Sequence, residues 1–316
     1  MGAGIMGTNH ARLAPAVRDA TVTCIADTDP DRAARLAASV GAEATSIDGI
    51  ADHIDAAVVA VPSELHLDVG LELMKAGIHV LVEKPLATTI EDAEAMAEAA
   101  ELHGVTLMAG HVERFNPAVL ELDRLLGDVV HVAAARISPF SPRIPEDVVT
   151  DLMIHDLDVV RSIARCPVVD VECMAMCVRS EVEDLASALI RFENGMTANL
   201  TASRVGQQKI RELRITQADA YVTLDLVRQD VTINRVEHEE FLSEEGARYR
   251  QSGMVEIPFL EHQGEPLLLE LQEFVRAVST GTAPRVTAED GVEALRLVAR
   301  VKAAARRAAG TDAPGR

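Results

Sequence analysis

The sequence predicts an α/β chain in two parts. Residues 1–117 read as a doubly wound parallel sheet, and residues 118–316 as an α+β domain with an open, mainly antiparallel sheet. Three observations lead there. The first third alternates short, wholly apolar segments with helical ones, the pattern of parallel strands covered on both faces. After Pro117 apolar residues alternate with polar ones, as in strands with one packed and one wet face. The 316 residues are 48% hydrophobic, enough for a substantial core in one large or two ordinary domains.

Residues 22–27 form a compact apolar strand, and 30–40 an Ala-rich helix. Strand 56–61 is followed by helix 64–76, strand 78–82 by helix 90–103, and strand 105–109 closes the series. Thr89 with Asp92, and Thr88 with Glu91, give the helix at 90 a capped start. In the second part the alternating stretches are 196–203, 211–216, 222–226 and 231–236. A helix at 151–164 interrupts them, and helices resume at 266–279 and 288–309. The charged stretch 239–253 reads as a mobile loop, and 310–316 as a frayed tail. No internal repeat is visible.

Lys plus Arg number 30 and Asp plus Glu 50, a net charge of −20. Such a chain has no general attraction to nucleic acid or anionic membranes. It has no Trp, two Tyr and six Phe, which argues against base-stacking platforms. No apolar run is long enough to span a bilayer, and no cationic-then-apolar leader is visible. Four scattered Cys, with Cys173 and Cys177 four apart, read as reduced and mostly buried thiols. A cytoplasmic protein without nucleic-acid or membrane partners is expected.

Gly2-Ala3-Gly4-Ile5-Met6-Gly7 fits G-x-G-x-x-G, and a helical segment and strand 22–27 follow. Asp27 stands 20 residues beyond Gly7, where a Rossmann dinucleotide fold places its ribose-binding acid. Glycines let the backbone approach a pyrophosphate at a helix N-terminus, where free N–H groups favour negative charge. A carboxylate at Asp27 would accept from a ribose 2′-hydroxyl and repel a 2′-phosphate, favouring NAD over NADP. The competing reading is a tight turn with an incidental acid. Such a turn ordinarily follows a strand, yet only Met1 precedes it. A first strand lying upstream is therefore expected; without one, this domain should lose stability and cofactor affinity.

Residues 78–85 run an apolar strand into Glu83, Lys84 and Pro85. Ligands bind beyond the carboxyl ends of parallel strands, so Lys84 could hold a substrate oxygen and stabilise charge on it. A solvated strand-end ion pair is the alternative. Further on, Asp151, His155 and Asp158 stand at i, i+4 and i+7 on one helix face, among Leu152, Met153, Ile154, Leu157, Val159 and Val160. His155 can exchange a proton near neutrality, and Asp151 could orient it, a general-base arrangement. A satisfied buried network and a metal site are alternatives, but no second His sits at ligand spacing, and no metal is expected.

Taken together, Gly2 to Gly7, Glu83-Lys84-Pro85 and Asp151-x-x-x-His155 resemble the Gfo/Idh/MocA family of nicotinamide-dependent oxidoreductases. Pro62-Ser63-Glu64-Leu65-His66 and Gly110-His111-Val112-Glu113-Arg114-Phe115-Asn116-Pro117 fit the same family. The resemblance implies a Rossmann domain and an open sheet that also serves homodimer or homotetramer formation. It implies NAD contacts at Gly2, Gly4, Ile5, Met6, Gly7, Asp27, Pro62, Ser63, His66, Glu83 and Lys84. Lys84, Asp151 and His155 would be catalytic, with Arg114 and Asn116 at the substrate. The second half is similar to the branch containing UDP-N-acetylglucosamine 3-dehydrogenases, with Arg136 and Arg143 placed to receive a diphosphate; surface arginines on a loop are the alternative. The expected reaction is hydride transfer between nicotinamide and a secondary alcohol of a sugar, nucleotide sugar or cyclitol. A myo-inositol 2-dehydrogenase-type enzyme, an NAD-using glycoside hydrolase and a non-enzymatic NAD-responsive module are the alternatives.

Overall fold

The computed structural model describes residues 1–46, 50, 54–142, 145–243 and 246–310, with the backbone alone over 237–251. The chain divides into two units, Met1–Phe115 with Gly264–Arg296, and Asn116–Gln263 with Leu297–Arg316. The segment from Gly264 to Arg296 was expected with the second domain, and this is a correction. The apolar face of a helix reveals that it packs, not on which neighbour.

The first unit opens with α1 (Ile5–Leu13), then β1 (Cys24–Ala26), α2 (Pro30–Val40) and β2 (Glu43–Thr45). The series goes on through β3 (Ala56–Val59), α3 (His66–Lys75), β4 (His79–Glu83), α4 (Ile90–His103) and β5 (Leu107–Gly110). β1 pairs parallel with β2, and β3, β4 and β5 form a parallel three-stranded sheet. Local chemistry sets the helix ends. Asp29 accepts from the amides of Asp31 and Arg32, Pro30 occupies the first turn, and Gly41 closes α2 at φ 72°. Thr89 caps α4 through the Asp92 amide at 3.1 Å, as the sequence predicts. Val80, Leu81 and Val82 are fully buried, because helices cover both faces of the sheet. Leu267, Leu271 and Phe274 of α8 (Pro266–Thr280) join that core.

The first unit lacks one strand pairing among the described residues. β1 and β3 belong to different sheets, yet Met1 and Gly2 bridge them. The Met1 amino group donates to Val58 O at 2.8 Å, Ala60 N donates to Met1 O, and Gly2 N donates to Ala26 O. These are the bonds of one residue lying in parallel register between two strands. Behind Met1 lies a cavity of about 460 Å³, lined by Cys24 and Ile25 on one side, Ala56 to Val58 on the other, and Phe274 of α8.

In the second unit come α5 (Pro117–Leu120), α6 (Leu122–Leu125), β6 (Val129–Ile137) and α7 (Ile154–Ala164). Then follow β7 (Val168–Met176), β8 (Leu185–Phe192), β9 (Thr197–Ser203), β10 (Ile210–Gln217), β11 (Tyr221–Asp225), β12 (Asp230–Ser243) and β13 (Gly246–Glu256). They form one eight-stranded sheet in the order β13-β12-β11-β10-β6-β9-β8-β7, antiparallel except for β6 with β9. Alternate residues such as Ala186, Ala188 and Ile190 are buried while Leu189 and Arg191 face outward, the one-sided packing that alternation predicts. The expected loop at 239–253 is instead strand: β12 and β13 pair from Ile233 opposite Glu256 to Ser243 opposite Gly246. Backbone pairing carries this hairpin, which charge-rich composition conceals. The boundary between units falls within α9 (Ala288–Ala308).

The four thiols are free, but only Cys173 is buried, where burial pushes its thiol up to about 11. The expectation of mostly buried cysteines is thereby corrected. No described helix is long and apolar enough to cross a membrane.

Candidate active site

Gly2 takes φ 86° and lies against the backbone of Ala60, so a Cβ there would clash. A Cβ on Gly7 would overlap the Gly2 carbonyl. Both glycines are demanded by the turn itself. Gly4 differs: it is exposed, and a Cβ there would meet nothing within 4 Å. Gly4 starts α1, with no side-chain cap and no acid in the first turn. Its amide end is open to an anion approaching closely, which fits a pyrophosphate. Ile5 beside it is 81% exposed, and Met6 is half-buried.

Asp27 follows β1 directly. Its Oδ2 accepts the Ala3 amide at 2.6 Å, its Oδ1 accepts the Asp29 amide at 2.8 Å, and Arg32 lies 3.2 Å away. Burial opposes its ionisation, but the Ala3 and Asp29 amides and Arg32 outweigh burial and hold the carboxyl below its ordinary value. The site thus presents a fixed negative charge at the end of β1, which fits a ribose hydroxyl.

Pro62 and Ser63 lead into a short turn, Ser63–Leu65, ahead of α3. His66 is placed otherwise than expected. It is 1% exposed, with Nδ1 2.9 Å from Pro85 O and Nε2 3.0 Å from Val61 O. Its ring clamps the loops after β3 and β4 together, and both nitrogens are engaged in doing so. Glu83 also departs from the expectation of a cofactor contact, because its carboxylate turns inward to His10 Nε2 at 2.7 Å. Lys84, next in sequence, is half-buried just past the end of β4.

In the second unit, residues Val149–Met153 form one π-helical turn that runs into α7. The expected uninterrupted α-helix from 151 is therefore corrected, and Asp151 sits on the wider turn. Asp147 organises this start. It accepts from the amides of Val149 and Thr150 and from Lys302 Nζ at 2.6 Å. Burial works against its charge, but Lys302 and Thr150 prevail and hold it below its usual value. Asp151 and His155 are half-buried, whereas Asp158, Val159 and Val160 are buried. Asp151 and His155 thus share the exposure of Thr150, Arg161 and Ser162 on an otherwise largely buried stretch.

Arg136 is corrected outright. It is 1% exposed, and its guanidinium grips Asp156 in two bonds, Nε to Oδ2 at 2.9 Å and Nη2 to Oδ1 at 2.7 Å. The pair fastens β6 to α7 instead of receiving a diphosphate. Arg143 lies outside the described residues. Asn116 is a cap: it accepts the Ala118 amide and donates to Leu226 O at 2.9 Å. Arg114 is buried on the turn Val112–Phe115. Sequence reasoning missed His10, Glu270 and Asp156: His10 and Asp156 stand among other polar residues that mask them, and only Glu270, after Leu267 to Leu269, carries a signal, a charge within an apolar run.

The glycine turn, open at Gly4 and anchored on Asp27 within a parallel α/β sheet, defines a dinucleotide-binding oxidoreductase class. Residues 1–111 match the family described as oxidoreductase family, NAD-binding Rossmann fold, and residues 123–221 match the GFO/IDH/MocA C-terminal domain. The chain belongs to the GFO/IDH/MocA family of NAD-dependent oxidoreductases. It is 30% identical to a UDP-N-acetylglucosamine 3-dehydrogenase of Acidithiobacillus ferrooxidans over 95% of this chain and 94% of that one. It is 28% identical to an inositol 2-dehydrogenase of Acidothermus cellulolyticus, over 93% and 88%. The solved A. ferrooxidans UDP-N-acetylglucosamine 3-dehydrogenase superposes with TM-score 0.86 at 28% identity, covering 97% and 96%. A levoglucosan dehydrogenase solved with NADH and levoglucosan shares the fold, with TM-score 0.80 at 20% identity over 97% and 96%.

Proposed function

We propose that this enzyme oxidises a secondary alcohol of a nucleotide sugar of the UDP-N-acetylglucosamine kind. Bound NAD would serve as hydride acceptor, held by the turn Gly2 to Gly7 and by Asp27. His155 takes the hydroxyl proton as general base. Asp151 orients the imidazole and stabilises the cation formed as the proton arrives, and Lys84 donates to the substrate oxygen as negative charge develops on it. The observation that carries the chemistry is that Asp151 and His155 are half-buried polar residues one turn apart, with Met153, Ile154 and residues 156–160 buried beside them. Similarity to the A. ferrooxidans enzyme along nearly the whole chain supports the substrate.

One observation favours a second substrate class. Arg136, one of two arginines expected to receive a diphosphate, is committed to Asp156, and a cyclitol needs no such receptor. Absorbance at 340 nm separates the two. NADH formed with UDP-N-acetylglucosamine and not with myo-inositol or free hexoses supports the nucleotide sugar. NADH with myo-inositol alone replaces it with the cyclitol. Sugar released from a glycoside without net NADH would overturn the dehydrogenase reading of this chain.

The open face of the eight-stranded sheet exposes Met174 (74%), Met176 (54%) and Leu189 (53%), which supports self-association as a homodimer or homotetramer. Light scattering at micromolar concentration tests it. A cytoplasmic location accords with the reduced thiols.

A further inference from the structure

Three buried ionisable residues of the first unit meet where the proposed chemistry does not use them. His10 comes from α1, directly after the glycine turn. Glu83 ends β4, next to Lys84, and Glu270 comes from α8. Their exposures are 4%, 8% and 0%. His10 Nε2 and Glu83 Oε1 share a hydrogen bond of 2.7 Å, and one donor atom from each of the three lies within 4.8 Å of the others. Neither oxygen of Glu270, nor Nδ1 of His10, has a hydrogen-bond partner among the described residues.

A carboxylate in that position has lost its water and gained no donor, which is costly. A second carboxylate nearby raises the cost further. Accordingly, burial first and Glu83 second push the Glu270 carboxyl well above its ordinary value. Among titratable groups on elements packed against α8, His10 and Glu83 meet Glu270. Arg12 of α1 instead pairs with Glu265 at 2.6 Å. The turn Val112–Phe115, also packed on α8, carries the buried Glu113 and Arg114.

We propose that Glu270 is a positioning residue which, as a neutral carboxylic acid, completes the buried His10–Glu83 pair and so fixes both the end of β4 that carries Lys84 and the helix that follows the glycine turn. Protonation relieves the charge of a buried carboxyl that no donor reaches. It removes the like-charge conflict and leaves Glu83 as acceptor. The consequence for Lys84 rests on that lysine's proposed contact with substrate; the protonation of Glu270 does not.

The test compares wild type, Glu270→Gln and Glu270→Ala by thermal unfolding from pH 5 to pH 9 and by calorimetric titration with NAD. The native carboxyl titrates above the unfolded one, so wild type loses stability as pH rises from the unfolded value of about 4.3. Glu270→Gln should therefore match wild type near pH 5 and gain on it by several degrees toward pH 9. It should bind NAD within about twofold of wild type, whereas Glu270→Ala should bind severalfold more weakly. Isotope-edited infrared spectra of wild type at pH 8 should show a protonated carboxylic acid band, a reading that needs no variant to fold. A Glu270→Gln advantage independent of pH, or absence of that band, overturns the proposal. So does stability that falls with a chelator or rises with zinc only when Glu270 is present, since a cation would then replace the proton. If neither UDP-N-acetylglucosamine nor myo-inositol is oxidised, the substrate reading fails while the unfolding and infrared results still decide Glu270.

Discussion

The amide of Ala3 donates to Asp27 Oδ2 at 2.6 Å, tying the middle of the glycine turn to the end of β1. One carboxylate thus shapes the turn and charges the position where a ribose would lie. Removing it takes away two backbone hydrogen bonds to a charged acceptor, each worth about 1.5–3 kcal/mol. Asp27→Ala is expected to raise the Kd for NAD by about 10- to 100-fold and to narrow the preference over NADP, both measurable by calorimetry. Unchanged NAD affinity would remove Asp27 from the site.

Lys84→Ala and His155→Ala are each expected to lower turnover by about a hundredfold or more while leaving NAD affinity nearly intact. Steady-state kinetics beside direct NAD titration separates the two effects. A double variant that remains substantially active would refute both roles.

Asp184 is fully buried and accepts from the amides of Val178, Arg179 and Ser180 and from Arg204 Nε at 2.7 Å. Burial opposes its charge, but these donors prevail and hold its carboxyl well below the ordinary value. A depressed native value stabilises above the unfolded pKa and loses that contribution as pH falls through the native one. Asp184→Ala should cost about 3–5 kcal/mol near neutrality by leaving the buried Arg204 guanidinium without its carboxylate, and the gap from wild type should close in strong acid. Denaturant titration at pH 7 and pH 2 checks both parts.

With Met1 as a free amino terminus, burial pushes its ammonium down to about 6, against weaker support from Cys24 and Asp27. Between pH 6 and pH 8 the unfolded chain binds the extra proton, so stability should rise across that window, by up to about 3 kcal/mol. Amino-terminal acetylation should abolish the rise. Extending Met1 backward with five apolar residues should go further, filling the cavity between β1 and β3 and raising Tm by several degrees. An extended protein with wild-type Tm would show that the cavity does not accept a strand.

The alternation of apolar strands with capped helices in one part, and of apolar with polar residues in the other, made the two-part fold legible. Thr89, Asp29 and Gly41 act locally, so sequence alone determined where their helices begin and end. The glycine spacing and Asp27 were legible because both belong to one short strand–turn–helix neighbourhood. Contacts between distant segments were not. Arg136 read as a receptor for a diphosphate, or else a surface arginine, until Asp156, 20 residues on, claimed it. Glu83 read as a cofactor contact until α1 brought His10 to it, and α8 brought Glu270 from almost 190 residues away. Composition reports that a charge exists; only packing decides whether it meets water, a ligand or a buried partner, because the cost of removing it from water depends on what the folded chain puts beside it.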